Sequence, residues 1–334
     1  MPSAKQATLI VWFTGMLVLV GLTVWYGADH VGEAIVSAGW AALLVVFVRA
    51  AAVAIAGAGW WLLFPVDLRP SVLLCMGLRF VREGANALLP LAQIGGDFIG
   101  ARCLALRGVK GTVAAASVIV DVLMQAVSQL VFALIGLVLL IAMGGNELIV
   151  WPIAIGLALA LPALGGFVLM QGEQGQRLVK WVLGAVAGDR QWAAFGAIDN
   201  LFASLDRFYA YRRGLIQSVI WHLGGWFVGA LEIWIVLTFM GYSIDFGDAV
   251  LIESLMHAVR GAAFAVPGAL GAQEGGLIIL CAIFGVPPEA ALALSLVKRL
   301  PDLVLGVPGL IAWQAIEGWH FHDRGRAQEQ KERA

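Results

Sequence analysis

Apolar runs long enough to cross a bilayer recur along the whole chain, and this limits it to a bundle of membrane helices. The runs are Ala7 to Tyr26, Trp40 to Leu63, Val113 to Ile141, Leu148 to Met170, Leu215 to Met240 and Pro288 to Ile316. About twenty such residues in a helix span roughly 30 Å of hydrocarbon. The runs are continuous instead of alternating, which excludes a β-barrel. Of the 334 residues 61% are hydrophobic and 13% charged, a balance that excludes a cytosolic enzyme, a disordered protein and a nucleic-acid binder. Lys and Arg number 21 against 22 Asp and Glu, so there is no basic field for nucleic acid. Cys75, Cys103 and Cys281 are scattered singly and form neither a disulfide framework nor a zinc pattern. The first run is longer than the apolar core of a signal sequence and no clear cleavage site follows it, so a retained helix is expected.

Two further stretches, Ser71 to Ala101 and Ala249 to Gly285, are apolar but broken by charges, a Pro and clustered Gly. Irregular backbone at membrane depth survives only inside protein or beside water. Both are read as re-entrant helical hairpins, giving an all-α polytopic membrane protein of six full spans plus two hairpins. Loop charges agree. Arg102, Arg107 and Lys110, the loop 171–214 and the tail after His320 carry Lys and Arg, whereas 27–39, 144–147 and 241–247 carry acids alone. The positive-inside rule then places both termini in the cytoplasm.

The broken stretches resemble each other. Aligning Pro90 with Pro267 also aligns Asp97 with Glu274, and each hairpin precedes a span with a buried acid, Asp121 or Asp302. The order span, span, hairpin, span repeats in opposite orientation, with a first half at 1–145, a second at 146–320 and a tail at 321–334. Interrupted segments in paired inverted halves point to a transporter's binding site.

Ionisable groups inside a membrane are costly and are functional candidates by default. Arg79, Arg82, Glu83 and Asn86 share one helix face, as do Glu253, His257 and Arg260. Ser117, Asp121, Gln125 and Ser128 form a polar stripe, and Lys298, Arg299 and Asp302 surround Pro301, where a kink is expected. If the hairpin tips at Pro90 and Pro267 meet, these groups line one cavity between the halves. Arginines there can fork onto an anionic head group, and Asp97, Glu274 or His257 can couple proton or ion movement. The bland alternative is that Arg79, Arg82, Arg260, Lys298 and Arg299 form neutral ion pairs that fix packing and bind nothing. Glu232 reads as a lone acid bonded to a neighbouring helix, and His222 as an interfacial structural histidine. His320 and His322 lack metal-binding partners, so neither metal nor cofactor is expected. The stripe Trp192, Phe195, Ile198, Phe202, Leu205, Tyr209 reads as a helix floating at the cytoplasmic interface. No phosphate loop and no hydrolase or metalloprotease pattern is present.

The run Arg82, Asn86, Leu88-Leu89-Pro90, Gly95-Gly96-Asp97, Arg102, with Val266-Pro267-Gly268, Gly271 and Glu274 later, resembles the lysylphosphatidylglycerol-synthase transmembrane, flippase-like family over nearly the whole chain. Asp121, Gln125 and Gln129, with the run Val266 to Glu274, are most similar to its hopanoid-biosynthesis-associated subfamily. The resemblance implies movement of a hopanoid, a phospholipid or a lipid-linked intermediate between leaflets. Synthase activity is not expected, because too few residues follow the last span to make a transferase domain. An intramembrane lipid-modifying enzyme and a scaffold for hopanoid-handling proteins are the alternatives, and a homodimer stays open.

Overall fold

The computed structural model describes residues 21, 24–25, 28–89, 95–186, 191–263 and 269–333. Pro90, Pro267 and most of the first expected span lie outside the described residues. Among the described residues the chain is helical, without strands. The helices are α1 (Ala28–Ala38), α2 (Ala41–Leu62), α3 (Val72–Leu88), α4 (Gly95–Leu106), α5 (Gly111–Ala142), α6 (Glu147–Leu169), α7 (Glu173–Val186), α8 (Gln191–Ala210), α9 (Arg212–Phe239), α10 (Phe246–Ala262), α11 (Ala272–Ala282) and α12 (Pro288–Arg333).

Four of these, α2, α5, α6 and α9, are long and apolar enough to cross a membrane. The expected span from Pro288 to Ile316 is not among them, because Lys298, Arg299 and Asp302 interrupt its apolar run. It lies in α12, which continues as helix through Pro301 and Pro308. Two of the long helices end alike. Gly144 closes α5 at φ +71° and Gly241 closes α9 at φ +88°, a backbone region that lacks the usual steric cost only for glycine. The next amide then turns back, from Gly145 to the Leu140 carbonyl and from Tyr242 to the Leu237 carbonyl, each at 2.9 Å.

Each broken stretch is a pair of helices packed against one another, α3 with α4 and α10 with α11. Asp97 and Glu274 stand in the first turn of the second helix of their pairs. The first helix of each pair also crosses a long helix distant in sequence. At α3 and α12 the crossing is backbone on backbone, and a methyl on Gly84 would lie 2.6 Å from the Gly306 carbonyl oxygen. At α10 and α5 the Ser254 hydroxyl fills the space where Gly136 lacks a side chain. Small residues at such crossings let helices approach closely enough for dispersion to hold them without a hydrophobic driving force.

Two apolar clusters occupy opposite ends of the bundle. One gathers α10 and α11 with Val45 of α2, Leu140 of α5, Ile233 of α9 and Leu294 of α12. The other gathers α3 and α4 with Trp60 of α2, Val113 of α5, Leu215 of α9 and Trp313 of α12. The long helices run from one cluster to the other. From the residue order, α2 and α12 run one way and α5 and α9 the other. Between the clusters, at mid-length of these helices, lies a polar layer.

The stripe on α8 does not float. Ile198, Phe202, Leu205 and Phe208 are buried with Trp60 and Phe64, and the Phe208 ring meets the Phe64 ring edge-on at 5.3 Å. The side chains of Trp192 and Phe195 lie outside the described residues. The stripe has a protein surface to cover, because α8 packs along α5. It is α7 that presents Leu178, Val179 and Trp181 outward. The three cysteines are free and buried.

Candidate functional site: a charged layer around one cavity

Asp121, on α5, organises the first part of the layer and is fully buried. Its Oδ2 accepts from Arg82 Nη1 at 2.6 Å, from Gln125 Nε2 at 2.8 Å and from Arg79 Nη1 at 3.3 Å. Its Oδ1 lies 2.9 Å from His222 Nε2 on α9. Arg82, 1% exposed, also donates from Nε and Nη2 to Asp97 Oδ1 at 2.9 and 2.6 Å, tying α3 to α4. Its guanidinium stands 4.8 Å from the Trp60 ring centroid, an electrostatically favourable stack. Arg79 pairs in addition with Glu83 and donates to Gln125 Oε1 at 2.7 Å. Gly96 explains how α4 comes so near. A methyl there would collide with the Arg82 carbonyl oxygen, and the Gly96 amide donates to Asn86 Oδ1 at 2.7 Å.

A second group lies across the layer. Arg49 of α2 holds Glu232 of α9 through two parallel hydrogen bonds of 2.7 Å, the strong forked geometry. Lys298 of α12 bridges Glu232 at 3.1 Å and Glu253 of α10 at 2.9 Å. Beside Glu253 lies His257, whose ring is 4.3 Å from that of Trp226.

Most of these groups line a partly open cavity of about 410 Å³. Its wall includes Arg79, Glu83, Asn86, Asp97 and Gln125 from the first half, and Glu253, His257 and Arg260 from the second. Charges on both broken stretches thus share one wall, in a layer bounded above and below by apolar clusters.

A model of the lysylphosphatidylglycerol synthase TM region matches residues 12–309. The chain belongs to this family. No curated protein and no solved structure matches it. The lysylphosphatidylglycerol synthase transmembrane match covers both broken stretches and every charged group of the layer, so cavity and family coincide along the chain.

Several expectations need correction in this light. Glu274, Arg299 and Asp302 are not on the cavity wall. Glu274 is buried apart, accepting from Arg299 Nη2 at 2.7 Å, Ser295 Oγ at 2.8 Å and the Gly271 amide at 2.6 Å. Its own position in the first turn of α11 turns it toward α12. Lys298 lines a narrow recess next to the cavity, with Glu253, His257 and Arg260. His222 is not interfacial. It is 2% exposed, bonded to Asp121 and on the cavity wall, because α9 packs its length against α2 and α5. Glu232 does bond to a neighbouring helix, yet it also faces the cavity. Arg49 was missed altogether, although a lone cation in the middle of the second apolar run was the available signal. Pro90 and Pro267, named as hairpin tips, lie outside the described residues.

The ion-pair alternative also has a part of the truth. Arg79, Arg82, Lys298 and Arg299 all pair with carboxylates. Arg260 is the exception among the described residues.

Proposed function

We propose that the chain is a lipid transporter that carries a polar-headed lipid between leaflets, with the head group in the charged cavity and the tail in the surrounding lipid. The observation carrying this reading is a cavity of about 410 Å³ walled by charges from both broken stretches of an otherwise apolar helical bundle. Charged groups at mid-bilayer depth are too costly to keep without a polar occupant or a strict packing role.

The inverted arrangement of six spans and two re-entrant hairpins is part of the reading. It is supported by helix directions, since α2 and its counterpart α9 run oppositely, as do α5 and α12. It is supported again by length. The 12 residues of α4 and 11 of α11 reach only roughly 18 and 16 Å, too short to cross. Each hairpin also belongs to a different end cluster. Loop charge supports a cytoplasmic placement of both termini, and the family resemblance favours a bacterial inner membrane. The subfamily resemblance favours a hopanoid cargo, and the charged wall favours one with a polar or lipid-linked head.

The test fills the cavity. Ala126 is on its wall, whereas Val138, on the same helix, is 64% exposed on the outer surface. In liposomes carrying a fluorescent phospholipid, wild type and Val138→Trp are expected to exchange label between leaflets faster than protein-free vesicles. Ala126→Trp is expected to fall to the protein-free rate. Equal exchange by both tryptophan variants removes the cavity from the mechanism.

A further inference from the structure

Every carboxylate on the cavity wall has a cationic partner. Glu83 pairs with Arg79, Asp97 with Arg82, Glu232 with Arg49, and Glu253 with Lys298. The converse does not hold. Arg260, in the last turn of α10, lines both the cavity and its recess and has no carboxylate or hydrogen-bond partner among the described residues. Of the residues outside the description, segments 1–20, 90–94 and 264–268 contain no Asp or Glu, and the one acid among the rest is Asp189. A guanidinium facing a semi-enclosed polar space without a counter-charge is a standing site for an oxyanion, which it meets with two parallel N–H bonds.

The surroundings limit that oxyanion. Apart from Arg260, the paired groups of the layer are the cations Arg49, Arg79, Arg82 and Lys298 and the carboxylates Glu83, Asp97, Asp121, Glu232 and Glu253, so the rest of the layer carries one more negative than positive charge when its histidines are neutral. A dianion would be repelled there, and a neutral head group would leave Arg260 uncompensated. Beside Arg260 the wall turns aromatic, with the Trp226 and His257 rings in contact and the Trp226 N–H already committed to Ser128 Oγ at 2.9 Å. That face offers apolar contact next to the charge.

We propose that Arg260 is the head-group subsite of the cavity and takes a singly charged phosphodiester of an amphiphile. The inference deepens the transport reading and rests on it for the amphiphile, but the subsite stands on the unpaired guanidinium. Arg260→Gln is expected to fold, since no carboxylate loses its partner.

Calorimetric titration of the full chain in detergent tests it with three probes: dihexanoyl-phosphatidylglycerol, its neutral counterpart dihexanoylglycerol, and inorganic phosphate. Wild type is expected to bind the phosphatidylglycerol at least about tenfold more tightly than the neutral lipid, the scale of a charge-assisted bond pair. Arg260→Gln is expected to lose that preference and keep the neutral lipid's weak binding, with Arg260→Lys between them. Unchanged phosphatidylglycerol affinity in Arg260→Gln, or equal affinity of wild type for both lipids, overturns the subsite. Phosphate binding as tightly as the lipid overturns the amphiphile and leaves a phosphate site. Arg260-dependent lipid binding without leaflet exchange removes the transport reading alone. Exchange with an unaffected Arg260→Gln removes the subsite alone.

Discussion

The two broken stretches share a plan and differ in how tightly they are bound. Both are helix pairs, and both place an acid in the first turn of the second helix. In the first, Asp97 is held by Arg82 of its own pair, and Arg82 passes the connection on to Asp121 and so to α5. In the second, Glu274 reaches outward to Arg299 and Ser295 of α12, leaving Arg260 of its own pair unclaimed. Helix contact differs as well. Where the first pair has Gly96 and Gly100, the Pro90/Pro267 register puts Gln273 and Leu277 in the second. One stretch is thus a locked wall of the cavity, and the other is the wall that keeps a cation without a carboxylate partner among the described residues. A repeated fold constrains backbone course, while the chemistry of each copy is set by which side chain reaches which partner.

The largest expected effect is at the lock. Asp121→Ala removes the acceptor shared by two buried guanidiniums and His222, leaving Arg79 and Arg82 with only Glu83 and Asp97 for counter-charge, so a loss of about 3–5 kcal/mol is expected in unfolding in detergent. Glu274→Ala removes the acceptor shared by Arg299, the Ser295 hydroxyl and the Gly271 amide, and Arg299 is 20% exposed and can recruit water, so about 2 kcal/mol is expected. Equal losses from the two variants erase the distinction between locked and unlocked stretches.

Helix contact provides a finer comparison. Gly96→Ala forces a methyl onto backbone that has no room to yield, with an expected loss of about 1–3 kcal/mol. Gly275→Ala of the second pair meets nothing within 4 Å and gains helix propensity, so no loss is expected, and a gain of up to about 1 kcal/mol. Thermal midpoints of the two variants read the contrast directly, and a destabilised Gly275→Ala breaks it.

The smallest effect lies where the chain approaches the first pair. Asp67, in the turn between α2 and α3, accepts from Arg207 of α8 at 2.6 Å, and that hydrogen bond holds its carboxyl below the usual carboxylate range. A depressed value in the folded state stabilises above the ordinary carboxylate pKa and is lost as pH falls through the lowered one. Asp67→Asn is therefore expected to be slightly less stable than wild type at neutral pH and indistinguishable in strong acid. Both side chains are more than half exposed, so high salt is expected to erase the difference as well. A difference that persists at low pH assigns Asp67 a role other than its charge.

Much of the candidate site was legible because charge inside an apolar run is rare enough to be noticed. Arg79, Arg82, Glu83, Asn86, Asp97, Asp121, Gln125, Glu253, His257 and Arg260 were visible in this way, and all but Arg82 and Asp121 line the cavity, with those two directly behind it. Arg49 and Glu232 carry the same signal singly, without neighbours on their own helix, and only their meeting across α2 and α9 gives them meaning. His222 was misjudged because distance from a helix end says nothing about which helices cover that end. The α8 stripe was misread for a related reason. An amphipathic period reports that one face is buried, and it is blind to whether protein or lipid buries it.

Read alone, the sequence determined that this is a helical membrane protein with two broken apolar stretches and costly charges clustered in them. Those properties follow from hydrocarbon thickness and backbone hydrogen bonding, which act locally along a chain. Tertiary structure alone decided which charges neutralise one another, that Glu274 turns away from the cavity, and that Arg260 stands beside it with no carboxylate partner among the described residues. Ion pairing at these distances depends on helix packing, where Glu232 and Arg49 stand 183 residues apart in sequence and 2.7 Å apart in space.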